Sequence, residues 1–248
     1  AFGAMFSGLP PSRNHVIHRA RQLPPGIETL AERFRAAGYH THGIAYKTYI
    51  YNMGFEQGFG TWFNLPALDK TADDNLVKAL AWLQRNHERR FFLFMHFNDP
   101  HQPFNQPPPF DRKFNRAEDL RRLGIELPLI VTPESKFFGC RHCRLQGDVR
   151  PAARDVAHDL YDGEVAYVDD RLGKLLAALD QRGIGDDTVI AFTSDHGELL
   201  WEHDAYFGHA GPYMYDELIH VPLIIRPPAS GDWARGRRID AQVRMHDV

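Results

Sequence analysis

The sequence predicts an α/β fold with a largely parallel sheet flanked by helices, and three observations carry that reading. First, amphipathic helical stretches alternate with short apolar runs. Residues 73–88 lead into "FFLFMHF" at 91–97, and 155–181 lead into "TVIAFT" at 188–193. Such alternation marks strands joined by crossover helices. Second, the runs are apolar at consecutive positions. Val189, Ile190, Ala191 and Phe192, and the later run Val221 to Ile225, read as strands buried on both faces. Third, 248 residues with 43% hydrophobic and 25% charged content suffice for one large core.

Taken in order, "IETLAERFRAA" (Ile27 to Ala37) places Ile27, Leu30 and Phe34 on one helical face and stops at Gly38. His40 to Tyr46 follows as a short strand. In the helix of residues 73–88, Leu76, Leu80 and Leu83 are spaced for burial, and residues 91–97 form the next strand. A Pro-rich loop runs from Asn98 to Phe110. Residues 111–150 show no period and read as an excursion or lid. The longest helix, 155–181, carries Val156, Leu160, Val168, Leu172, Leu175 and Leu179 along one stripe, and Gly183 and Gly185 end it. No repeat or linker divides the chain, so residues 1–248 are expected to be a single domain. The start at Ala1 and the stop at "RMHDV" suggest an incomplete domain, an internal piece truncated at both ends.

Composition narrows the partners. A net charge of -3 gives no electrostatic basis for binding nucleic acid or an acidic membrane surface. No apolar run approaches the roughly 20 residues that span a bilayer. Cys140 and Cys143, in "CRHC", are half of a zinc-site pattern that nothing else in the chain completes.

The candidate site residues follow apolar runs. Asp195 and His196 leave the strand of residues 188–193, the place where ligands collect in open α/β sheets. Their mixed O/N character suits Mn, Zn, Fe or Ca; alternatively they only cap the turn that ends the strand. His209 lies among Gly208, Gly211 and Pro212, in a sharply bent loop on which little core should depend. It is either a surface histidine or a hydrogen-bond donor to an anionic ester oxygen. His101, after the strand of residues 91–97, comes off the same edge; Asp99 orients its loop or forms an Asx-turn before Pro100. His203 is a weaker candidate, and the Asp169–Asp170 pair reads as solvated helix charge.

Taken together, "SDHGE", "GHAGPYMYDELIHVPLII" and "FMHFNDPHQPF" resemble the sulfatase family of the alkaline phosphatase superfamily. "FSGLPPSRNHV", "AGYHTHGIAY", "MGFEQGF" and "LYDGEVAYVDDRLGKLL" extend the resemblance, in order, over most of the chain outside about residues 111–150. It implies an alkaline-phosphatase-like fold and metal-dependent hydrolysis of small-molecule or glycan sulfate esters. Asp195 and His196 take the places of metal ligands for one divalent ion, calcium in much of the family. Asn often stands where His196 does, so Mn or Zn also suits the site. His101 and His209 match residues that contact the sulfate or leaving-group oxygen, as catalytic and substrate-binding groups. The family's lysine in a G-K-W-H segment has no clean counterpart, Lys47 being one residue off. The family nucleophile, a formylglycine made in a C/S-x-P-x-R motif, is expected before Ala1 because Leu9 of "LPPSR" cannot serve; the fragment is then inactive alone.

Two alternatives stand beside the sulfatase reading. One is a phosphodiesterase, phosphonate monoester hydrolase or phosphoethanolamine transferase of the same superfamily. The other is a catalytically dead fragment that only binds a partner.

Overall fold

The computed structural model describes the chain except residues 19–20, 47–52, 66–71, 115–120, 122–150, 204–206 and 210–213, and the side chains of 151–153. Lys47, Cys140, Cys143 and most of the expected 111–150 excursion therefore lie outside the described residues. Two compact units are present, neither contiguous in sequence. The first holds Ala1–Asn98, Leu172–Ala191 and Ile224–Val248; the second holds Asp99–Arg171 and Phe192–Leu223.

The first unit opens with two short helices, α1 (Phe2–Ser7) and α2 (Pro11–Asn14), separated by Gly8 in the left-handed conformation. Helix α3 (Leu30–Ala36) begins where Thr29 and Glu32 form a reciprocal cap: each side chain accepts the other's backbone N–H, at 3.2 and 2.7 Å. Strands β1 (His40–Tyr46), β2 (Thr61–Leu65) and β3 (Phe91–Met95) form a parallel sheet in the order β2-β1-β3. In its register His42 lies opposite Thr61, and His40 opposite Phe91. Helix α4 (Ala72–Asn86) carries Ala79, Trp82 and Leu83 onto this sheet, where Leu83 meets Leu179, Phe91 and Leu93 in one cluster. Gly43 is required in β1, because a Cβ there would stand 2.1 Å from the Trp62 ring.

One titratable group is part of this sheet. His42 stacks on Trp82, with ring centroids 5.0 Å apart, and its Nδ1 lies 2.6 Å from Thr61 Oγ1. Burial holds its imidazole below the ordinary histidine range, and the Arg85 charge adds to that effect against a hydrogen bond to Thr61.

Helix α5 (Pro151–Gln181) gives its first two thirds to the second unit and its end to the first. Strand β4 (Ile190–Thr193) pairs with β7 (Leu223–Arg226), and β5 (Leu199–Leu200) with β6 (Phe207–Gly208). Between β6 and β7 lies the short helix α6 (Asp216–Ile219). The second unit's core gathers Phe104, Leu160, Tyr167, Leu199, Leu200, Trp201 and Phe207, with Trp201 and Phe207 rings 4.5 Å apart.

The helices and strands read from the sequence are present, with α3 starting at Leu30 rather than Ile27 and β3 ending at Met95 rather than Phe97, while α1, α2, β2, β5, β6 and α6 were not foreseen; one reading of burial is corrected. The runs 189–192 and 221–225 are not buried on both faces: Val189 is 58% exposed, Ile224 61% and Ile225 57%. Their sheet is only two strands wide among the described residues, so neither run is enclosed as an interior strand would be. No described helix is long and apolar enough to cross a membrane.

Candidate active site

The second unit brings the four predicted residues together. Asp195 and His196 come one residue after β4, and the chain then turns at Gly197, whose N–H donates to Leu218 O at 2.9 Å. A Cβ on Gly197 would sit 1.8 Å from Glu217 O, so only glycine lets this turn lie against α6. The next residues enter the β5–β6 hairpin, where Leu199 pairs with Gly208 and Leu200 with Phe207. One step further along that register, Glu198 lies opposite His209. His209 Nδ1 stands 3.0 and 3.2 Å from the two Glu198 carboxylate oxygens.

The imidazoles form a contiguous group. The His209 ring lies 4.1 Å from His196 and 5.1 Å from His101, centroid to centroid. His196 Nδ1 is 2.8 Å from Gly197 O, and His101 Nδ1 is 2.5 Å from Gln102 O. A carbonyl only accepts, so both Nδ1 atoms carry hydrogen, as does the His209 Nδ1 that faces a carboxylate. In all three rings Nε2 is then the nitrogen left for another partner.

Carboxylates surround the group. Glu198 exposes only 7% of its side chain. Burial first, and then the charges of Glu198, Asp162 and Glu202, push the Tyr161 phenol up to about 12, so it remains neutral beside the site. His203 takes no part in the imidazole group. It pairs with Glu217 at 3.0 Å and stacks on Tyr215, 3.7 Å between centroids. Asp170, of the helical acidic pair, is hydrogen-bonded by Arg171.

A divalent ion fits Asp195 and His196 by donor chemistry. Asp195 Oδ2 and His196 Nε2 are 3.7 Å apart, and His196 has the tautomer that leaves Nε2 a lone pair when neutral. Among the described residues no group of three or more His, Cys, Asp or Glu side chains is placed to hold an ion, so these two make half of a shell at most.

Two buried acids escaped the sequence reading. Glu198 was legible only through the hairpin register, which two-residue strands do not announce. Glu164 had a signal: it stands four residues from both Leu160 and Val168, on the apolar stripe of α5, and is 1% exposed. Burial and the Asp99 charge push its carboxyl far above the usual carboxylate range.

With this geometry in place, comparison with known proteins is decisive at one level. The Sulfatase family profile matches residues 1–247 of the chain. The chain belongs to the sulfatase family. It is 28% identical to iduronate 2-sulfatase of Homo sapiens, over 64% of this chain and 30% of that protein. It is 30% identical to the multifunctional alkaline phosphatase superfamily protein PehA of Trinickia caryophylli, over 60% of this chain and 31% of that one. The sulfatase-family chain spans 30% to 53% of the length of the curated relatives it matches. Among solved structures, the phosphonate monoester hydrolase of Agrobacterium radiobacter superposes with a TM-score of 0.66 at 22% identity, covering 92% of this chain and 58% of that one. Likeness at that identity establishes the alkaline-phosphatase-like α/β fold.

Proposed function

We propose that this chain supplies the leaving-group side and half of the metal shell of a sulfuric ester hydrolase acting on small-molecule or glycan sulfate esters. One observation carries the reading: His209 touches both His196 and His101 while its Nδ1 is tied to the buried Glu198 carboxylate. An imidazole oriented by a carboxylate through one nitrogen can hold and deliver a proton at the other, the arrangement needed to protonate a departing alkoxide. His101, adjacent to it, would donate from Nε2 to a sulfate oxygen when its ring carries a proton on both nitrogens. Asp195 and His196 would hold the divalent ion, calcium from the family resemblance or Mn or Zn from the histidine. When bound, that ion neutralises charge on the ester's anionic oxygens.

No Cys or Ser among the 248 residues stands in a C/S-x-P-x-R motif, so a formylglycine nucleophile, if the enzyme uses one, comes from outside this segment. These residues alone should then not turn over an ester.

Phosphate or phosphonate diester chemistry is the second reading. It is supported by His196 in a ligand position often held by Asn, and by the similarity to a multifunctional relative. The test uses the full-length enzyme with a sulfate monoester and a phosphate diester of one leaving group. Preferential sulfate turnover, lost in Asp195→Ala and on chelation, supports the sulfatase reading. Turnover of the diester alone replaces it with the second, and binding without turnover of either leaves a non-catalytic protein.

A further inference from the structure

Glu164 lies mid-way along α5 among Val156, Leu160 and Val168, all buried at four-residue spacing. An ionised carboxyl at such a position is so costly that the group takes up a proton instead. Its Oε1 accepts the backbone N–H groups of Asn105 at 2.7 Å and Gln106 at 3.1 Å. The other oxygen, Oε2, is buried with no N–H or O–H donor among the described residues, and the carboxyl that acts on Glu164 is that of Asp99, itself 7% exposed. Gln106 adds a bond from Nε2 to Leu160 O at 2.9 Å. The loop that carries His101 is thus fastened at both ends to a single side chain, by Asp99 before the histidine and by Asn105 and Gln106 after it.

Two ionised carboxylates in contact offer each other only acceptors, whereas one proton between them makes a short, charge-assisted hydrogen bond. We propose that Asp99 and Glu164 form a carboxyl–carboxylate pair sharing one proton, and that Glu164 is through it the positioning residue for His101. While the proton is held, both ends of the loop stay on α5. A second ionisation sets two buried negative charges against each other and releases residues 99–106.

The surroundings support this assignment. Burial contributes most to the upward shift at Glu164, the Asp99 charge and hydrogen bond come next, and the two backbone donors oppose them without winning. From the loop packed against it, Asp99 is the charge that acts. On its own helix, Asp162 acts on Tyr161, while Arg171 lies over Phe110 and Tyr167. The pair stands on the burial of both carboxyls and on the donor-less Glu164 Oε2; only its consequence for turnover rests on the sulfate-ester reading.

The experiment follows folding stability against pH by urea denaturation of wild type, Glu164→Gln and Asp99→Asn, with amide hydrogen exchange at Asn105 and Gln106. Gln at 164 keeps the acceptor for both N–H groups and gives Asp99 an N–H donor without needing a proton. Folding of the wild type should take up one proton above the ordinary carboxylate range. Its folding constant should fall, relative to Glu164→Gln, by up to tenfold per pH unit. At alkaline pH the Asn105 and Gln106 amides should exchange faster in wild type than in Glu164→Gln at the same pH. Asp99→Asn removes the second charge and should shorten the pH range over which stability falls, burial of Glu164 leaving the remainder, so it carries the comparison if the first variant folds poorly. Parallel stability curves for wild type and the variants, with equal exchange at the two amides, would overturn the proposal. Loss of sulfate-ester activity in the full-length enzyme would leave these readouts unmoved, which separates this inference from the functional one.

Discussion

Replacing His209 separates its chemical role from its structural one, because its partner is buried. The bond from His209 Nδ1 reaches both Glu198 oxygens at 3.0 and 3.2 Å, and the side chains are 27% and 7% exposed. A hydrogen bond to a charged group contributes roughly 1.5–3 kcal/mol, and leaving its buried partner unsatisfied costs a similar amount. With about a quarter of the imidazole open to solvent screening, the lower end applies. His209→Ala should destabilise the protein by about 1–2 kcal/mol, more than a Gly- and Pro-flanked surface loop would suggest. His209→Gln places an amide N–H near Glu198 and should recover most of that loss. Neither variant can present a protonated imidazole nitrogen to a leaving oxygen. Both should lower kcat/KM of the full-length enzyme by about 10²–10⁴-fold on a sulfate ester with a poor leaving group. The defect should shrink as the leaving group improves, since a good leaving group needs no proton. Urea denaturation gives the stability arm, and steady-state kinetics over a leaving-group series gives the other. Full turnover in His209→Gln would refute the proton-donor assignment. Unchanged stability in His209→Ala would show that Glu198 is satisfied without the histidine.

Two further outcomes are expected in the first unit. Gly43→Ala forces a methyl to within 2.1 Å of the Trp62 ring in the parallel sheet, and should lower stability by about 1–3 kcal/mol, read as a fall in Tm. A Tm within error of wild type would show that Trp62 moves aside freely. His42, held below its ordinary pKa of 6.5 by burial, binds its proton more weakly folded than unfolded. Its contribution to stability is therefore present above pH 6.5 and lost as pH falls through the folded value. His42→Gln should remove that acid-side decline, and an NMR titration placing the His42 ring at or above 6.5 would contradict it.

Local order was legible because it rests on local rules. The stop at Gly38, the spacing of Leu76 and Leu83, and the apolar runs at β3 and β4 each encode an element within a few residues. The chemistry of "SDHGE" and "NDPHQPF" was equally visible as residue types placed after strands, and their order along the chain marked the family. Partnership was not legible, since it depends on atoms distant in sequence. Asp99 read as orienting its loop or forming an Asx-turn, and the sequence reading did not single out Glu164. Only the packing of the 99–106 loop on α5 makes them neighbours, and burial then changes their protonation. Glu198 and His209 became a pair through the register of a hairpin two residues deep, where a slip of one position would have turned one of them to the other face. The sequence by itself determined the longer helices and the strands that follow them, the family and the kinds of groups available to a site. The tertiary structure decided which carboxylate serves which imidazole and which acid keeps its proton, because desolvation and hydrogen-bond geometry arise only when distant segments are packed together.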